Sequence, residues 1–366
     1  MTAVIMGKPH AFLAFFPPPT YLTMPAVGID ISDRTMKFVE LSRTSDGLVP
    51  TRFGDRPLEE GIIADGKILD GKRLEAALTA LRREFKFAFV RASLPEQQAY
   101  VFQIEAPLVK DEEQLIQTIE FKLEENIPLS PGEVILGYDV LGVKKSADNL
   151  DVTVTAYPRE NAQRYIEALE GAGLMPLSLE IESQAIARSV ISEGDTDTYL
   201  IVDFGETRTG IAIVSRGLLA FTSTVDVRGR DLTEAIMKGC DAEGSEVARI
   251  KNEVGIRRSS GEHQELSESL SRVVSSLTDE LERHHTYWNT NAQKEVHDRI
   301  KKVLLCGGNA NLAGLSEYVA SRLRVPTERA NVWVNAFSFD RKVPSIPLEA
   351  SLSYATAIGL ALHRNE

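Results

Sequence analysis

Apolar residues in VGIDISDRTMKFVELS (27–42) run up to Asp30, give way to a short polar stretch, and resume around Lys37. That pattern predicts a strand, a tight turn and a returning strand. Farther on, RLEAALTALRREF (73–85) spaces leucines at 74, 78 and 81, one helical face, and FAFVRASL (87–94) reads as a buried strand. The character then changes. Asp111 and Gln114 form a capping-box-like pair before a helix whose stripe is Leu115, Ile119 and Leu123, and Pro128 ends it. EVILGYDVLGV and NLDVTVTAYP alternate as strands around a polar loop, NAQRYIEALEGAGL reads as a helix ending at glycines, and LMPLSLEIES as a further strand. Together these predict a compact α+β module over about 107–180, inserted into the first unit.

The second half opens with strands over 197–225 and a turn at Gly205. From RGRDLTEAIMKGC to NAQKEVHDRI the pattern is helical, with one apolar face formed by Leu266, Leu270, Val273, Leu277 and Leu281. IKKVLLCGGNANLAGLSEYVASRLRV (300–325) reads as strand, glycine turn and helix, and EASLSYATAIGLALH as a buried helix of small residues.

Composition narrows the classes. The 366 residues are 43% hydrophobic and 26% charged, enough for two core-bearing units. A formal net charge of −12 disfavours a sequence-independent nucleic-acid binder and a polybasic lipid-binding surface. Cys240 and Cys306 stand far apart, as in a reducing compartment, and adjacent His284 and His285 point apart on a helix instead of forming a metal-ligand set. No stretch approaches the about 18 apolar residues of a membrane span. The N-terminal AFLAFFPPPTYL is too short an apolar run for a secretory signal. It reads as a loosely ordered tail, or as an arm whose Phe15, Phe16 and Tyr21 dock on a partner.

The hairpin recurs. GIDISDRTMKFVEL and VDFGETRTGIAIV align at Asp30 and Asp203, each a strand, an aspartate, a polar turn and a second strand. Turn N–H groups form anion nests, a carboxylate from each turn can hold Mg²⁺ through its waters, and Lys37 adds a point charge for a phosphate. Gly307 and Gly308, between a strand and a helix, let a flat ring approach the backbone closely. The order hairpin, hairpin, double-glycine turn is far more specific than any one of them.

That set resembles the nucleotide-binding fold of actin and the sugar kinases, with GIDISDRTMK and VDFGETRTG similar to its two phosphate loops and LLCGGNANLAGL to its adenosine motif. More closely, the chain resembles the PilM family, cytoplasmic actin-like proteins of type IV pilus assembly. The points of match are VGIDISDRTMKFVEL, EFKLEENIPLSPGEVILGYDVL, GAGLMPLSLEIES, RGRDLTEAI and AIGLALH, spread over 27–363. The resemblance implies an α/β, actin-like (ribonuclease H-like) two-domain fold with FtsA-like subdomains. It divides the chain into an arm (1–26), subdomain 1A (27–106), subdomain 1C (107–180) and a connecting helix of 1A (181–196). Subdomain 2A follows (197–229 and 300–345), interrupted by 2B (230–299), and 346–366 returns to 1A.

The resemblance also implies ATP and Mg²⁺, with the nucleotide held between the two halves. It carries phosphate contacts onto Ser32, Thr35, Lys37, Gly205, Thr207 and Thr209, and metal coordination onto Asp30 and Asp203. Adenosine contacts fall on Lys251, Gly307, Gly308 and Asn309, and Glu182 stands where relatives place a polar residue toward the attacking water. Two positions depart from the family pattern: Ser32 replaces a usual glycine, and Ala248, near Glu246, stands where a glutamate is expected. The implied role is a cytoplasmic scaffold of the pilus (or related type II secretion) inner-membrane platform, with at most slow ATPase activity. Its partner is a PilN-like membrane protein, bound through that protein's cytoplasmic N-terminal peptide. Self-association and pilus motor or platform proteins are further partners, and the membrane is met only indirectly. Two alternatives are weighed against this. A small-molecule kinase of the same fold needs a substrate-side base, and 107–180 shows no evident cluster for one. An FtsA-like division protein calls for an amphipathic membrane helix, an element not expected after GLALHRNE.

Overall fold

The computed structural model describes residues 26–109, 111–144, 149–240, 242–256, 264–290 and 299–363. The expected N-terminal arm therefore lies outside the described residues, as do the middle of the polar loop at 145–148 and residues 257–263 and 291–298 of the helical stretch. The chain clusters into two compact units, one comprising the residues up to Ala185 with Leu218–Phe221 and the segment from Thr356, the other Ile186–Gly217 and Thr222–Ala355.

In the first unit, β1 (Val27–Ile31), β2 (Thr35–Thr44) and β3 (Gly47–Pro57) form an antiparallel meander, as the alternation predicts. A small hairpin of β4 (Ile63–Ala64) and β5 (Lys67–Ile68) follows, then α1 (Gly71–Phe85) and β6 (Phe89–Leu94). Asp70 caps α1 by accepting a hydrogen bond from the Arg73 N–H, and Leu74, Leu78 and Leu81 are its buried stripe. β6 pairs with β1 in parallel, and β10 (Met175–Ile181) pairs with β6 in parallel, giving the order β10-β6-β1-β2-β3.

The inserted module is a three-stranded antiparallel sheet, β7 (Tyr100–Pro107), β9 (Asn149–Pro158) and β8 (Val134–Lys144), in that spatial order. Helix α2 (Glu112–Asn126) covers one face with Leu115, Ile119 and Leu123, against Ile104, Val152, Val154 and Ala156. Asp111 caps α2 through the Glu113 N–H, and Ile127, just before Pro128, is its C-cap. One expectation is corrected. The strand at 175–181, read as part of the module, joins the five-stranded sheet, and α3 (Arg159–Gly171) before it packs on α1. A strand's own alternation fixes which residues share a face, not which neighbour it pairs with.

Beyond α4 (Glu182–Val190) the plan repeats: β11 (Thr198–Phe204), β12 (Thr209–Ser215) and β13 (Leu218–Val225) form the meander, and the first four residues of β13 are the ones that cluster with the first unit. Helices α5 (Gly229–Cys240), α6 (Ser245–Glu253) and α7 (Gln264–Thr290) come next. Strand β14 (Ile300–Cys306), helix α8 (Leu315–Leu323) and strand β15 (Thr327–Arg329) follow, in the sheet order β13-β12-β11-β14-β15. Each sheet is thus an antiparallel meander extended by two parallel strands, so the repeat read from two hairpins extends to whole sheets. The short α9 (Leu348–Ser351) leads to α10 (Ala355–Leu362), which returns to the first unit and is almost wholly buried.

In α7 the buried set is Leu266, Leu270, Val274, Leu277 and Leu281, with Val274 in place of the expected Val273. At about 100° per residue the two valines flank the stripe at equal angles on opposite sides. Periodicity cannot choose between them; the neighbouring α5 and α8 do. The same helix carries a pH dependence. Burial holds the His284 imidazole below its ordinary value, helped by Arg283 and opposed by Glu280, and burial lowers His285 against a smaller upward pull from Glu282. The unfolded chain takes up these protons near pH 6.5, before the folded state does, so stability falls as pH drops below about 7. The double change His284→Gln, His285→Gln is expected to flatten the loss of thermal stability between about pH 7.5 and 5.5. An unchanged slope defeats this assignment.

Candidate functional site

The first loop joins β1 to β2. Every residue of β1 is buried, and Asp30 is its penultimate residue, opposite Lys37 in the antiparallel register. Ser93 of β6 donates its hydroxyl to Asp30 Oδ1 at 2.9 Å and accepts the Ile31 N–H at 3.0 Å. The carboxylate is thereby held in a fixed orientation at the strand end. The turn is closed by its own polar groups. The Ser32 N–H and hydroxyl both donate to the Thr35 carbonyl, at 2.9 and 3.0 Å, and the Thr35 N–H donates back to Ser32 Oγ at 3.3 Å. Lys37 Nζ then donates to Thr35 Oγ1 at 3.2 Å. The structure thus brings Ser32, Thr35 and Lys37 together, and one ammonium hydrogen bond leaves two N–H vectors for an anion. No residue of this turn has a positive φ, so serine replaces the usual glycine here without backbone strain. Glu182 is also in this unit, buried as the first residue of α4, where a helix N-terminus favours a carboxylate.

The second loop joins β11 to β12 by the same plan. Asp203 is the penultimate residue of β11, opposite Gly210 on β12 and Cys306 on β14. Cys306 Sγ lies 4.0 Å from Asp203 Oδ1, the counterpart of the Ser93 contact to Asp30 but longer and with a weaker donor. The Gly205 N–H closes the turn onto the Arg208 carbonyl at 3.0 Å, and Thr207 is half-buried in it. Thr209 is fully buried and donates to the Val227 carbonyl at 2.6 Å. Its hydroxyl is therefore committed to holding the chain that enters α5, a different job from the phosphate contact expected of it.

Asn309 is the hub of this half. Its amide donates to the Phe204 and Gly205 carbonyls at 3.2 and 3.1 Å, and its backbone N–H reaches the Phe204 carbonyl at 3.1 Å. Its side-chain oxygen accepts from Lys251 Nζ at 3.0 Å, and Lys251 also donates to the Gly229 carbonyl at 3.3 Å. Gly229 and Arg230, at the start of α5, donate their N–H groups to the Gly205 and Glu206 carbonyls at 2.9 and 3.1 Å. The second loop, the double-glycine turn, α5 and α6 are thus tied into one structure. Burial pushes the Lys251 ammonium below its ordinary value, partly offset by the Glu206 carboxylate. Glu246, the acid nearest the expected glutamate, pairs with Arg249 on the exposed side of α6.

Two glycines are demanded by this packing. Gly307 has φ +85°, and a Cβ there falls 2.5 Å from Asp203 Oδ1. A Cβ on Gly229 falls 1.9 Å from Asn309 Nδ2. Gly308 is different: the nearest heavy atom to its Cβ position is Ser353 Cβ at 3.9 Å, so this side of the turn is open. Sequence reading missed Gly229 and Ser93. A serine inside the otherwise apolar FVRASL strand was an available signal for the second; nothing in RGRDL distinguishes the first. Among the described residues, no group of three or more His, Cys, Asp or Glu is placed to hold a metal ion.

Residues 28–365 match the family model described as type IV pilus assembly protein PilM. A solved PilM–PilN type IV pilus biogenesis complex contains a chain similar to this one at TM-score 0.74 and 23% identity, covering 93% of this chain and 98% of that one. Ethanolamine utilization protein EutJ from Carboxydothermus hydrogenoformans is similar at TM-score 0.53 and 18% identity, over 94% of this chain and 90% of EutJ. MreB5 of Spiroplasma citri bound to ADP is similar at TM-score 0.52 and 14% identity, over 86% of this chain and 93% of that chain. These likenesses establish the expected α/β, actin-like fold.

Proposed function

Because the chain belongs to the type IV pilus assembly protein PilM family, we propose that it is an ATP-binding, actin-like scaffold of the pilus inner-membrane platform. Its partner in this reading is a PilN-like membrane protein, recruited through that protein's cytoplasmic N-terminal peptide; the solved PilM–PilN complex supports this. Among the described residues no helix is long and apolar enough to cross a membrane. In the same reading, which follows the family and its PilN-bound relative, the chain works in the cytoplasm at the membrane's inner face through its partner.

The nucleotide reading rests above all on the Asn309 hub. Four residues assigned by resemblance to two different motifs, Gly205, Lys251, Gly307 and Asn309, are gathered there by hydrogen bonds and by the glycine turn. The MreB5 relative is bound to ADP, and in this chain the residues suit such a ligand. The open side of Gly308 admits a flat base, and Lys251, held by the Asn309 side chain and the Gly229 carbonyl, is proposed beside it on the adenosine side. In the first loop Lys37 supplies a second cation, with Ser32 and Thr35 fixing its position. Thr207 is proposed as a phosphate donor, and Thr209 as support for the loop.

Magnesium needs only one or two carboxylates because it keeps much of its water, and Asp30 and Asp203 are proposed for that role. When bound, the ion neutralises phosphate charge. Hydrolysis further requires a held water and a base beside it. Glu182 is the proposed candidate, and slow turnover is expected. The test is a calorimetric titration of the full chain with a PilN-like N-terminal peptide, with and without Mg-ATP. Saturable binding at micromolar affinity or tighter supports the scaffold role, and a changed affinity with Mg-ATP couples the nucleotide to it. A folded protein that binds the peptide in neither state overturns the reading.

A further inference from the structure

Opposite charges that face each other across two strands ordinarily pair. In the first loop they do not. Asp30 on β1 stands directly opposite Lys37 on β2, so the two side chains leave one face of the sheet from neighbouring positions. Each is engaged elsewhere. Asp30 Oδ1 accepts the Ser93 hydroxyl at 2.9 Å, and Lys37 Nζ donates to Thr35 Oγ1 at 3.2 Å. Among the described residues, neither Asp30 nor Lys37 takes part in an ion pair.

The fold places Ser93 for this. β6 lies parallel to β1 on the side away from β2, with Ile29 beside Ala92, so Ser93 is one step further on and level with Asp30. Ser93 is fully buried, and its oxygen also accepts the Ile31 N–H at 3.0 Å, which fixes the hydroxyl against the chain leaving β1. A serine hydroxyl has one proton to give. The other acid level with Ser93 is Glu180 on β10, and it lies 2.9 Å from His363 Nδ1, just beyond α10. Glu180 thus has a partner of its own, and the Ser93 proton goes to Asp30, which draws that carboxylate toward β6 and away from β2. The contact occupies one carboxylate oxygen and leaves the other.

We propose that Ser93 is a positioning residue of the first loop: by holding Asp30 it prevents an Asp30–Lys37 ion pair, so the carboxylate stays open to the waters of a magnesium ion and the ammonium to a phosphate. This rests on the reading of Asp30 and Lys37 as metal and phosphate residues. Without the hydroxyl, two opposite charges whose Cβ atoms stand roughly 5 Å apart close onto each other. They do so where Asp30 is buried and salt screens little. A loop whose charges cancel holds neither part of Mg-ATP well.

The test is a calorimetric titration of the full chain with ATP, once with Mg²⁺ and once with a chelator. Ser93→Ala is expected to weaken Mg-ATP binding by about tenfold or more, the scale on which a metal site responds when the group orienting its ligand is lost. Binding of metal-free ATP should weaken as well, because Lys37 is then engaged by Asp30. In a Lys37→Gln background no such pair can form, so adding Ser93→Ala should cost clearly less than it does in the wild type. A merely structural serine costs the same in both. Melting curves without ligand establish that the variants fold. Should Ser93→Ala lose its cooperative melt, Ser93→Cys makes the same comparison with the volume kept and a weaker donor. A wild type that binds ATP equally with Mg²⁺ and with chelator overturns the metal reading and this proposal with it. A wild type that gains from Mg²⁺ while Ser93→Ala binds Mg-ATP as tightly overturns the role of Ser93 alone, and so does an equal loss in the Lys37→Gln background.

Discussion

Replacing Asp203 with alanine is expected to remove the magnesium-dependent part of the thermal stabilisation given by ATP. A ligand at about a hundred times its dissociation constant stabilises the folded state by about 2.7 kcal/mol, so the wild-type shift is large enough to read clearly. Asp203 sits at the end of the central strand of its sheet, half-buried, with Gly307 packed so closely that even a Cβ there meets its carboxylate. Truncation removes the carboxylate proposed to hold the metal's waters and leaves the strand pairing to Gly210 and Cys306 in place. The variant with Mg-ATP should therefore melt like the wild type with ATP and a chelator. If Asp203→Ala is stabilised by Mg-ATP as strongly as the wild type, the metal assignment fails. The same comparison with Asp30→Ala asks whether the first loop contributes equally. There the Ser93 hydroxyl loses its acceptor, so the melting point without ligand must be compared first.

Gly359→Ala is expected to be the most damaging single methyl in the chain. Its Cβ falls 1.7 Å from the Ala185 carbonyl oxygen and 2.4 Å from the carbonyl carbon, backbone atoms that no rotamer change can move aside. Gly28 on β1 is in the same position toward the other side of α10, with a Cβ 2.1 Å from the Ala357 carbonyl oxygen. The helix is pressed against α4 and against the central strand through glycines, and overpacking of this kind costs about 3 kcal/mol or more. Denaturant unfolding should show the midpoint of the first unit falling sharply for Gly359→Ala. Gly137→Ala is the control: it lies on β8 with no heavy atom within 4 Å of its Cβ position, and its midpoint should hold or rise slightly. A Gly359→Ala variant that unfolds with the wild type shows that α10 is not docked as described.

The local elements, and the loops that carry the candidate chemistry, are written in short stretches of the chain. Strand, aspartate, polar turn and strand were legible twice, because an alternating apolar pattern broken by polar residues has few other solutions. The α2 stripe and the Asp111 cap were legible for the same reason: a helix face and its first turn are written within a few residues. The position of Lys37 beside Thr35 followed from a two-residue spacing on one strand.

Contacts between distant residues, by contrast, are fixed by the folded chain alone. Asn309 ties the Gly205 loop to Lys251 across separations of 104 and 58 residues, and neither partner is visible from Asn309's neighbours in the chain. Ser93 finds Asp30 because β6 lies parallel to β1 in one particular register. β10 leaves the inserted module for the five-stranded sheet, and Val274 is buried in place of Val273, because the choice belongs to the neighbouring element. Thr209, expected at a phosphate, is turned inward to the Val227 carbonyl. Periodicity states which side of an element is apolar; the shape and hydrogen-bonding needs of whatever packs there decide which of two near-equivalent residues is used, and for what.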